Sequence, residues 1–236
     1  TVTATTPGSG ISLAGGDLSI TTSDTGSQLL LNSSVNTNGG DVGLNVANSL
    51  RLGSMVELNT SGGDLLISAG MVDASGQIVM NATSMIEAGN GFVSLNGTSN
   101  IDVAQIQTTD DLVLSSQNGQ IRNIIGDATV NLRAAQLSLS AAQGIGSSTA
   151  LQTSVNLIAA ENSTGGAVQI ENQSGAELMI GSFSGVSGIS NQGAGGGRIA
   201  VSNNASMTVN APVVNLSGGE ISLAAAPNNA TSDLTV

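Results

Sequence analysis

The sequence contains no cysteine, histidine, tryptophan, tyrosine or lysine, and only two aromatic residues, Phe92 and Phe183. Without cysteine the chain cannot form disulfides or zinc–thiolate sites, and it has no thiol nucleophile. A β-sandwich core depends on large aromatic side chains, and so does a sugar-binding cleft. Their scarcity therefore argues against both.

Charge is scarce too, since 8% of the residues are charged, against roughly 25% in an ordinary soluble domain. The net charge is −12, and the basic residues are Arg51, Arg122, Arg133 and Arg198. Nucleic acids and anionic membranes require a cationic surface, so we expect neither as a partner. No apolar run reaches transmembrane length, and no signal-peptide pattern is present, so we expect no membrane insertion. We interpret residues 1–13 as strand sequence from within a longer protein, or as a mature N-terminus.

Apolar residues alternate with polar ones, most clearly between Gly39 and Ile67. This stretch opens with Gly39-Gly40-Asp41 and ends with a second such block, Gly62-Gly63-Asp64, followed by another strand. Three alternating runs lie between the blocks: Val42/Leu44/Val46, Leu50/Leu52 and Val56/Leu58. A period of two indicates half-buried strands, and a disordered chain would not keep it. Three strands followed by the same opening block predict one coil of a solenoid.

The block Gly-Gly-acid-apolar-x-apolar occurs four times, with its acids at positions 17, 41, 64 and 220. The last interval corresponds to about seven coils if each has roughly 22 residues. Degenerate copies fill this interval: Ser75–Ile78, Asn90–Leu95, Asp110–Leu114, Gly165–Ile170 and Gly196–Val201. Further short strands are predicted at Ile78–Met80, Phe92–Leu95, Ile101–Ile106, Leu112–Leu114, Val130/Leu132 and Leu137/Leu139. The run Ala134–Leu137 is predicted to form part of a strand and a corner of the coil.

The predicted fold class is therefore all-β. We expect one right-handed parallel β-helix (β-solenoid) over residues 1–236, with roughly ten coils of about 22 residues. The right hand follows the usual sense of connections between parallel strands. Residues 1–70 are the most regular, and the Gly- and Ser-rich segment 181–198 is expected to hold a protruding loop.

Two acidic features are candidate sites. Asp17, Asp41 and Asp64 could stack in successive coils and bind Ca²⁺, but solvated carboxylates that accept turn N–H groups are favoured because the calcium repeat GGxGxD is absent. Asp110 and Asp111 could serve glycoside hydrolysis, but adjacent strand residues point to opposite faces. We therefore expect no enzyme activity, no catalytic residues, no cofactor and no metal.

Two other motifs are common but weak. Thr3-Ala4-Thr5 and Thr108-Thr109 are too isolated to form the flat threonine array of an ice-binding face. Asn-x-Ser/Thr sequons occur nine times, at Asn32, Asn59, Asn81, Asn96, Asn162, Asn172, Asn204, Asn215 and Asn229. We expect them to remain unmodified in a bacterial protein.

The Gly-Gly-Asp blocks resemble the repeats of large bacterial exoproteins of the filamentous-haemagglutinin type. The segment from Gly144-Ile145-Gly146 through Leu151, Thr153, Val155 and Leu157 to Gly165–Ile170 resembles them as well. Such proteins are secreted through outer-membrane partners or as autotransporter passengers, and their right-handed β-helices act as stalks and adhesins. This chain lacks a proline near Ala150, which related repeats often carry, and a recognisable secretion-signal domain.

The sequence thus predicts a structural function: an extracellular or bacterial cell-surface β-solenoid that forms a stalk or filament segment of an adhesin or fibre. The alternative is an adhesive module that binds a host glycan or protein, and a polysaccharide-active enzyme is less favoured. The expected partners are an identical copy bound end to end, the continuation of a longer parent chain, or a surface or host receptor. No polar cap is evident at either end, and Leu234–Val236 still has strand character.

Overall fold

In the computed structural model, residues 10–226 and 233–236 are described, and they form β-strands and turns without any helix. Among these residues there is accordingly no helix that could span a membrane. Thr3-Ala4-Thr5 and Asn229, which were named above, lie outside the described residues.

The strands, in chain order, are β1 (Ile11–Ser12), β2 (Leu18–Thr21), β3 (Leu29–Leu31), β4 (Val35–Asn36), β5 (Val42–Val46), β6 (Leu50–Leu52), β7 (Glu57–Asn59), β8 (Leu65–Ala69), β9 (Ile78–Met80), β10 (Met85–Glu87), β11 (Val93–Gly97), β12 (Ile101–Val103), β13 (Gln105–Gln107), β14 (Leu112–Ser116), β15 (Ile121–Asn123), β16 (Leu132–Arg133), β17 (Gln136–Ala141), β18 (Leu151–Ser154), β19 (Leu157–Asn162), β20 (Val168–Asn172), β21 (Leu178–Ile180), β22 (Ser182–Phe183), β23 (Val186–Ser187), β24 (Ile189–Asn191), β25 (Ile199–Asn203), β26 (Met207–Val209), β27 (Val213–Asn215), β28 (Ile221–Ala225) and β29 (Leu234–Thr235).

All of these strands except β22 and β23 stack into three parallel sheets. The first sheet has the order β1-β4-β7-β10-β13-β16-β18-β20-β25-β28, and the third has the order β15-β12-β9-β6-β3. The second follows β2-β5-β8-β11-β14-β17-β19-β21-β26-β29, and β24 and β27 also belong to it. Early in the chain each coil visits every sheet once, so partners lie three strands apart. The predicted all-β parallel β-solenoid is confirmed, with about 10 turns of roughly 23 residues.

The core consists of aliphatic columns, in which equivalent positions of successive coils stack. One column of the second sheet contains Ile20, Leu44, Ile67, Leu95, Leu114 and Leu139. From Leu44 onward its members are at most 1% exposed. Burying an aliphatic side chain of this size contributes about 1.5–3 kcal/mol, so the stacked columns are the main stabilising element. The coil predicted between Gly39 and Ile67 is confirmed as β5, β6 and β7.

The Gly-Gly-acid block does not mark one position of the coil, as its use as a single repeat had implied. Asp17, Asp41 and Asp64 precede β2, β5 and β8 of the second sheet, whereas Glu220 precedes β28 of the first sheet. Similarly, Gly76 lies just before β9 of the third sheet. The block is a local signal for entry into a strand, and it recurs in all three sheets.

The cross-section of the solenoid changes along its length, because the third sheet merges into the first. Ile121 of β15 is bridged to Ile145, and Ile145 is bridged to Val168 at the start of β20. In the same strand, Ile170 pairs with Leu151 of the first sheet. β20 therefore continues two columns of stacked residues, one from the third sheet and one from the first, which lie on separate strands in the earlier coils.

Two local predictions need correction. The stretch Ile101–Ile106 is two strands, β12 and β13, separated by a corner at Ala104. Within 181–198, residues 182–187 form the antiparallel hairpin β22–β23, and β24 is a core strand whose Ile189 is fully buried. The predicted corner at residues 134–135 is confirmed between β16 and β17.

The hairpin lies against the outer face of the second sheet rather than protruding from it, since it packs on β17 and β19. Ser138 and Ala159, which form one register pair, face outward yet are only 2% and 0% exposed. Equivalent outward residues in earlier coils, such as Ser94, stay half-exposed. The hairpin therefore covers part of an otherwise open sheet.

Candidate functional sites

The three predicted aspartates do stack, and each is hydrogen-bonded to the next coil. Oδ1 of Asp17 accepts the backbone N–H of Asp41 at 3.0 Å, and Oδ1 of Asp41 accepts that of Asp64 at 2.8 Å. Oδ1 of Asp64 then accepts the N–H of Phe92 at 2.9 Å. These carboxylates accept backbone N–H groups and are solvent-exposed, as the favoured interpretation stated, but the donors belong to the neighbouring coil.

The glycines before these aspartates allow the coils to approach closely. Gly39 and Gly62 adopt φ values of 102° and 117°, which residues with a Cβ rarely adopt. The following glycine is constrained by space instead: a Cβ on Gly63 would lie 2.2 Å from the carbonyl oxygen of Gly40. Two different restrictions therefore explain the two glycines of the block.

The second acidic candidate, Asp110 and Asp111, lies at the entry to β14. Asp110 is exposed in the turn before β14, and the Oδ2 atom of Asp111 accepts Nε2 of Gln136 at 3.3 Å. Within the described part of the chain, no group of three or more acidic residues is arranged to hold a metal ion. Of the two aromatics, Phe92 is half-buried beside Asp64, and Phe183 belongs to the hairpin.

A bidentate ion pair joins two coils of the third sheet. Arg122 donates from Nε to Oδ1 of Asp102 at 2.6 Å and from Nη2 to Oδ2 at 2.8 Å. The hydrogen bond to Asp102 raises the pKa of Arg122 above its usual value, against the opposing effect of burial. Because the pKa of Arg122 is raised in the folded protein, the ion pair stabilises the fold at pH values below that pKa. This stabilisation is lost only as the pH rises through the raised pKa, so the pair persists at neutral pH. Because the pair joins β12 to β15, it favours their observed register.

Asparagines form a polar column inside the first sheet, where earlier coils have aliphatic residues. Leu132 pairs with Thr153, followed in register by Asn172 and Asn203. Thr153 donates its hydroxyl to Oδ1 of Asn172 at 2.9 Å, and Nδ2 of Asn172 donates to Oδ1 of Asn203 at 3.0 Å. Both asparagines are at most 2% exposed. Because their amides are hydrogen-bonded, these buried polar groups avoid the cost of an unmade bond.

A second asparagine column lies in the second sheet, where Asn162, Asn191 and Asn215 stack. Nδ2 of Asn162 donates to Oδ1 of Asn191 at 2.8 Å and to the carbonyl of Gly165 at 2.7 Å. The Oδ1 atom of Asn162 is buried and has no hydrogen-bond partner among the described residues. Its stacking neighbour in the preceding coil is Ala141, which has no side-chain donor.

Sequence reasoning missed these columns because it considered Asn162, Asn172 and Asn215 only as sequons and did not consider Asn191 and Asn203. Asn162 and Asn172 are buried and their amides are engaged, which prevents glycan attachment in the folded protein. Thr108, considered for an ice-binding face, is also buried and donates its hydroxyl to the carbonyl of Gly91 at 2.6 Å. The available signal was an asparagine ending an alternating strand, as in Ile170-Glu171-Asn172 and Val201-Ser202-Asn203.

A shallow cavity of about 100 Å³ lies on the outer face of the first sheet near its last strands. Its polar lining includes Arg198, Glu171 and Ser202, above small residues such as Ala200 and Ala224. Arg198 donates to Oε1 of Gln169. Pockets that enclose a small molecule are typically ~300–1,000 Å³, so this cavity could hold only part of a ligand.

The chain matches no protein-family model, and neither the curated proteins nor the solved structures yield a match. What is established is therefore a parallel β-solenoid of about 10 turns, without an assigned family.

Proposed function

We propose that this chain is a structural segment of a bacterial exoprotein of the filamentous-haemagglutinin type. In this proposal it is secreted or displayed at the cell surface, and it serves as a stalk or filament of an adhesin or extracellular fibre. The supporting observation is the uninterrupted stacking of the first and second sheets from the first described coil to the last. At about 4.8 Å per coil, ten coils make a rod near 50 Å long.

This stacking would make the coils resistant to force and to proteases. Force along the rod loads many parallel backbone hydrogen bonds at once, and proteases require an extended, accessible segment that the coils do not offer. Arg51, Arg122 and Arg133 lie within β6, β15 and β16, and only Arg198 lies outside a strand, directly before β25. Trypsin should therefore cut the native protein slowly, although it has a site in several coils.

The partners proposed are a further stretch of the same parent chain or an identical copy bound end to end. The change in cross-section favours the first of these. In the earliest coils, the columns that begin at Ile11 and Leu29 lie on separate strands, whereas their last members, Ala225 and Ile221, share β28. An identical copy would therefore have to pair coils of different shape.

Negative-stain electron microscopy at low and high protein concentration tests this proposal. We expect uniform rods about 50 Å long at both concentrations. Filaments that form at high concentration would support end-to-end assembly instead. Rapid tryptic cleavage of the native protein at Arg51 or Arg133 would contradict a stalk function, because a load-bearing coil cannot open so readily.

A second candidate function, an adhesive module for a host glycan or protein, is favoured by the cavity beside Arg198. Binding to host glycans and extracellular proteins would be measured with the wild-type chain and with Arg198→Gln. Arg51→Gln is the matched control, because Arg51 is an exposed arginine in another sheet. Binding that both variants retain would exclude the cavity as the site.

A further inference from the structure

The chain contains four Asn-Gly pairs, at Asn38-Gly39, Asn90-Gly91, Asn96-Gly97 and Asn118-Gly119. In this dipeptide the backbone nitrogen of glycine can attack the preceding side-chain amide, since no Cβ shields it. We propose that the fold protects three of the pairs and leaves Asn118 as the site of spontaneous deamidation.

The attacking nitrogen is held differently at the four sites. The N–H of Gly39 donates to the carbonyl of Thr60 at 2.6 Å, and that of Gly91 donates to the carbonyl of Ala88 at 2.9 Å. Gly97 lies within β11, paired in register with Ala69 and Ser116. At these sites a hydrogen bond or a strand pairing must break before the nitrogen can react.

The Asn118 site lacks this protection. The Gly119 N–H has no hydrogen-bond partner within the described residues, although Gly119 itself is buried in the turn between β14 and β15. A buried N–H without a partner costs free energy that is recovered when the turn opens to water. The Asn118 side chain is exposed, so its amide carbon is accessible.

The reaction needs only water. The Gly119 nitrogen forms a bond to Cγ of Asn118, the bond between Cγ and Nδ2 breaks, and ammonia leaves with the proton from the Gly119 nitrogen. Water then opens the succinimide at either carbonyl, giving aspartate or isoaspartate. The isoaspartate product carries an additional methylene in the backbone.

An additional backbone atom would disturb the stacking here. The Asn118 N–H donates to the carbonyl of Thr98 at 3.0 Å, and the Gly119 carbonyl accepts the N–H of Gln143 at 2.8 Å. Gly119 also packs so closely that a Cβ would lie 2.6 Å from the backbone nitrogen of Asn100. Isoaspartate at this position would therefore weaken the pairing with the coils on both sides.

The test is to incubate the native protein at mildly alkaline pH and to follow each site by proteolytic peptide mapping with mass spectrometry. Asn118 should deamidate about five- to tenfold faster than Asn38 and Asn90, the factor that one protein hydrogen bond supplies. In concentrated urea the sites should react at similar rates, which shows that the fold makes the difference.

Asn118→Gln is the control variant, because a glutamine side chain closes the corresponding ring much more slowly. Its native incubation should show no signal at position 118 and unchanged signals elsewhere. Deamidation at Asn118 that is no faster than at Asn38 and Asn90 in the native protein would overturn the proposal.

Discussion

The Oδ1 atom of Asp41 accepts the backbone N–H of Asp64, one coil away, at 2.8 Å. This bond belongs to a column in which a carboxylate of one coil accepts the N–H of the residue directly before the next strand of the second sheet. The column runs along the outside of the solenoid while the aliphatic columns run inside. Carboxylates stacked about 4.8 Å apart repel each other by roughly 1 kcal/mol even in water. The oxygen acceptor therefore stabilises the column, whereas the negative charge destabilises it.

This balance predicts opposite results for two substitutions of Asp41. Asp41→Ala removes the acceptor and should lower the free energy of unfolding by about 1 kcal/mol. Asp41→Asn retains an oxygen acceptor and removes the repulsion, so its stability should equal or exceed that of the wild type. Urea denaturation measures both, and an equal loss in the two variants would show that the charge itself is required.

The close approach of the coils predicts that Gly63→Ala is strongly destabilising. Its Cβ would lie 2.2 Å from the carbonyl oxygen of Gly40, and overpacking of this kind typically costs about 1–3 kcal/mol. Gly43→Ala is the matched control, because a Cβ on Gly43 meets no atom within 4 Å. Thermal unfolding should show a lower Tm only for Gly63→Ala, and a similar Tm for the two variants would be inconsistent with the stacking.

The unpartnered Oδ1 of Asn162 predicts a stabilising substitution in the preceding coil. Ala141→Ser places a hydroxyl at the stacked position, and satisfying a buried acceptor should contribute about 1 kcal/mol. Ala160→Ser serves as the control, since Ala160 stacks between Leu139 and Ile189. We expect urea midpoints to rise for the first variant and fall for the second. A lower urea midpoint in both variants would mean that a hydroxyl at position 141 does not stabilise the Asn162 oxygen.

The hairpin predicts a change in the accessibility of Ser138 that a thiol can report, because the chain has no cysteine. In the wild-type background the thiol of the Ser138→Cys variant should resist alkylation. It should react when residues 182–187 are replaced by an Asn-Gly turn. The neck of the hairpin favours such a replacement, since the Gly188 N–H donates to the carbonyl of Gly181 at 2.7 Å.

Ser94→Cys controls for general effects of this replacement. Ser94 occupies the same column as Ser138 two coils earlier, away from the hairpin, and it is half-exposed. Its thiol should react equally with and without residues 182–187. Protection of Ser138→Cys in both backgrounds would show that something other than the hairpin covers this face.

Much of the fold could be predicted from the sequence, because period-two alternation and Gly-Gly turns depend on neighbouring residues. The coil from Gly39 to Ile67, the aliphatic core and the stacking of Asp17, Asp41 and Asp64 all follow from such local signals. These signals also limited the candidate sites, because the residue types for thiol, imidazole and aromatic chemistry are missing or nearly so.

Beyond the regular coils at the start of the chain, only the tertiary structure decided which positions stack. Corner lengths are uneven, so the block at Glu220 opens a strand of a different sheet from the block at Asp64. The partners of an inward residue were also set by the neighbouring coils: the amide of Asn172 is hydrogen-bonded inside the first sheet because Thr153 and Asn203 lie beside it in register. Ser138 is buried on a face of the second sheet where residues 182–187 fold back against β17 and β19. Sequence periodicity specifies the strands, whereas register depends on the accumulated lengths of distant corners, which no local pattern contains.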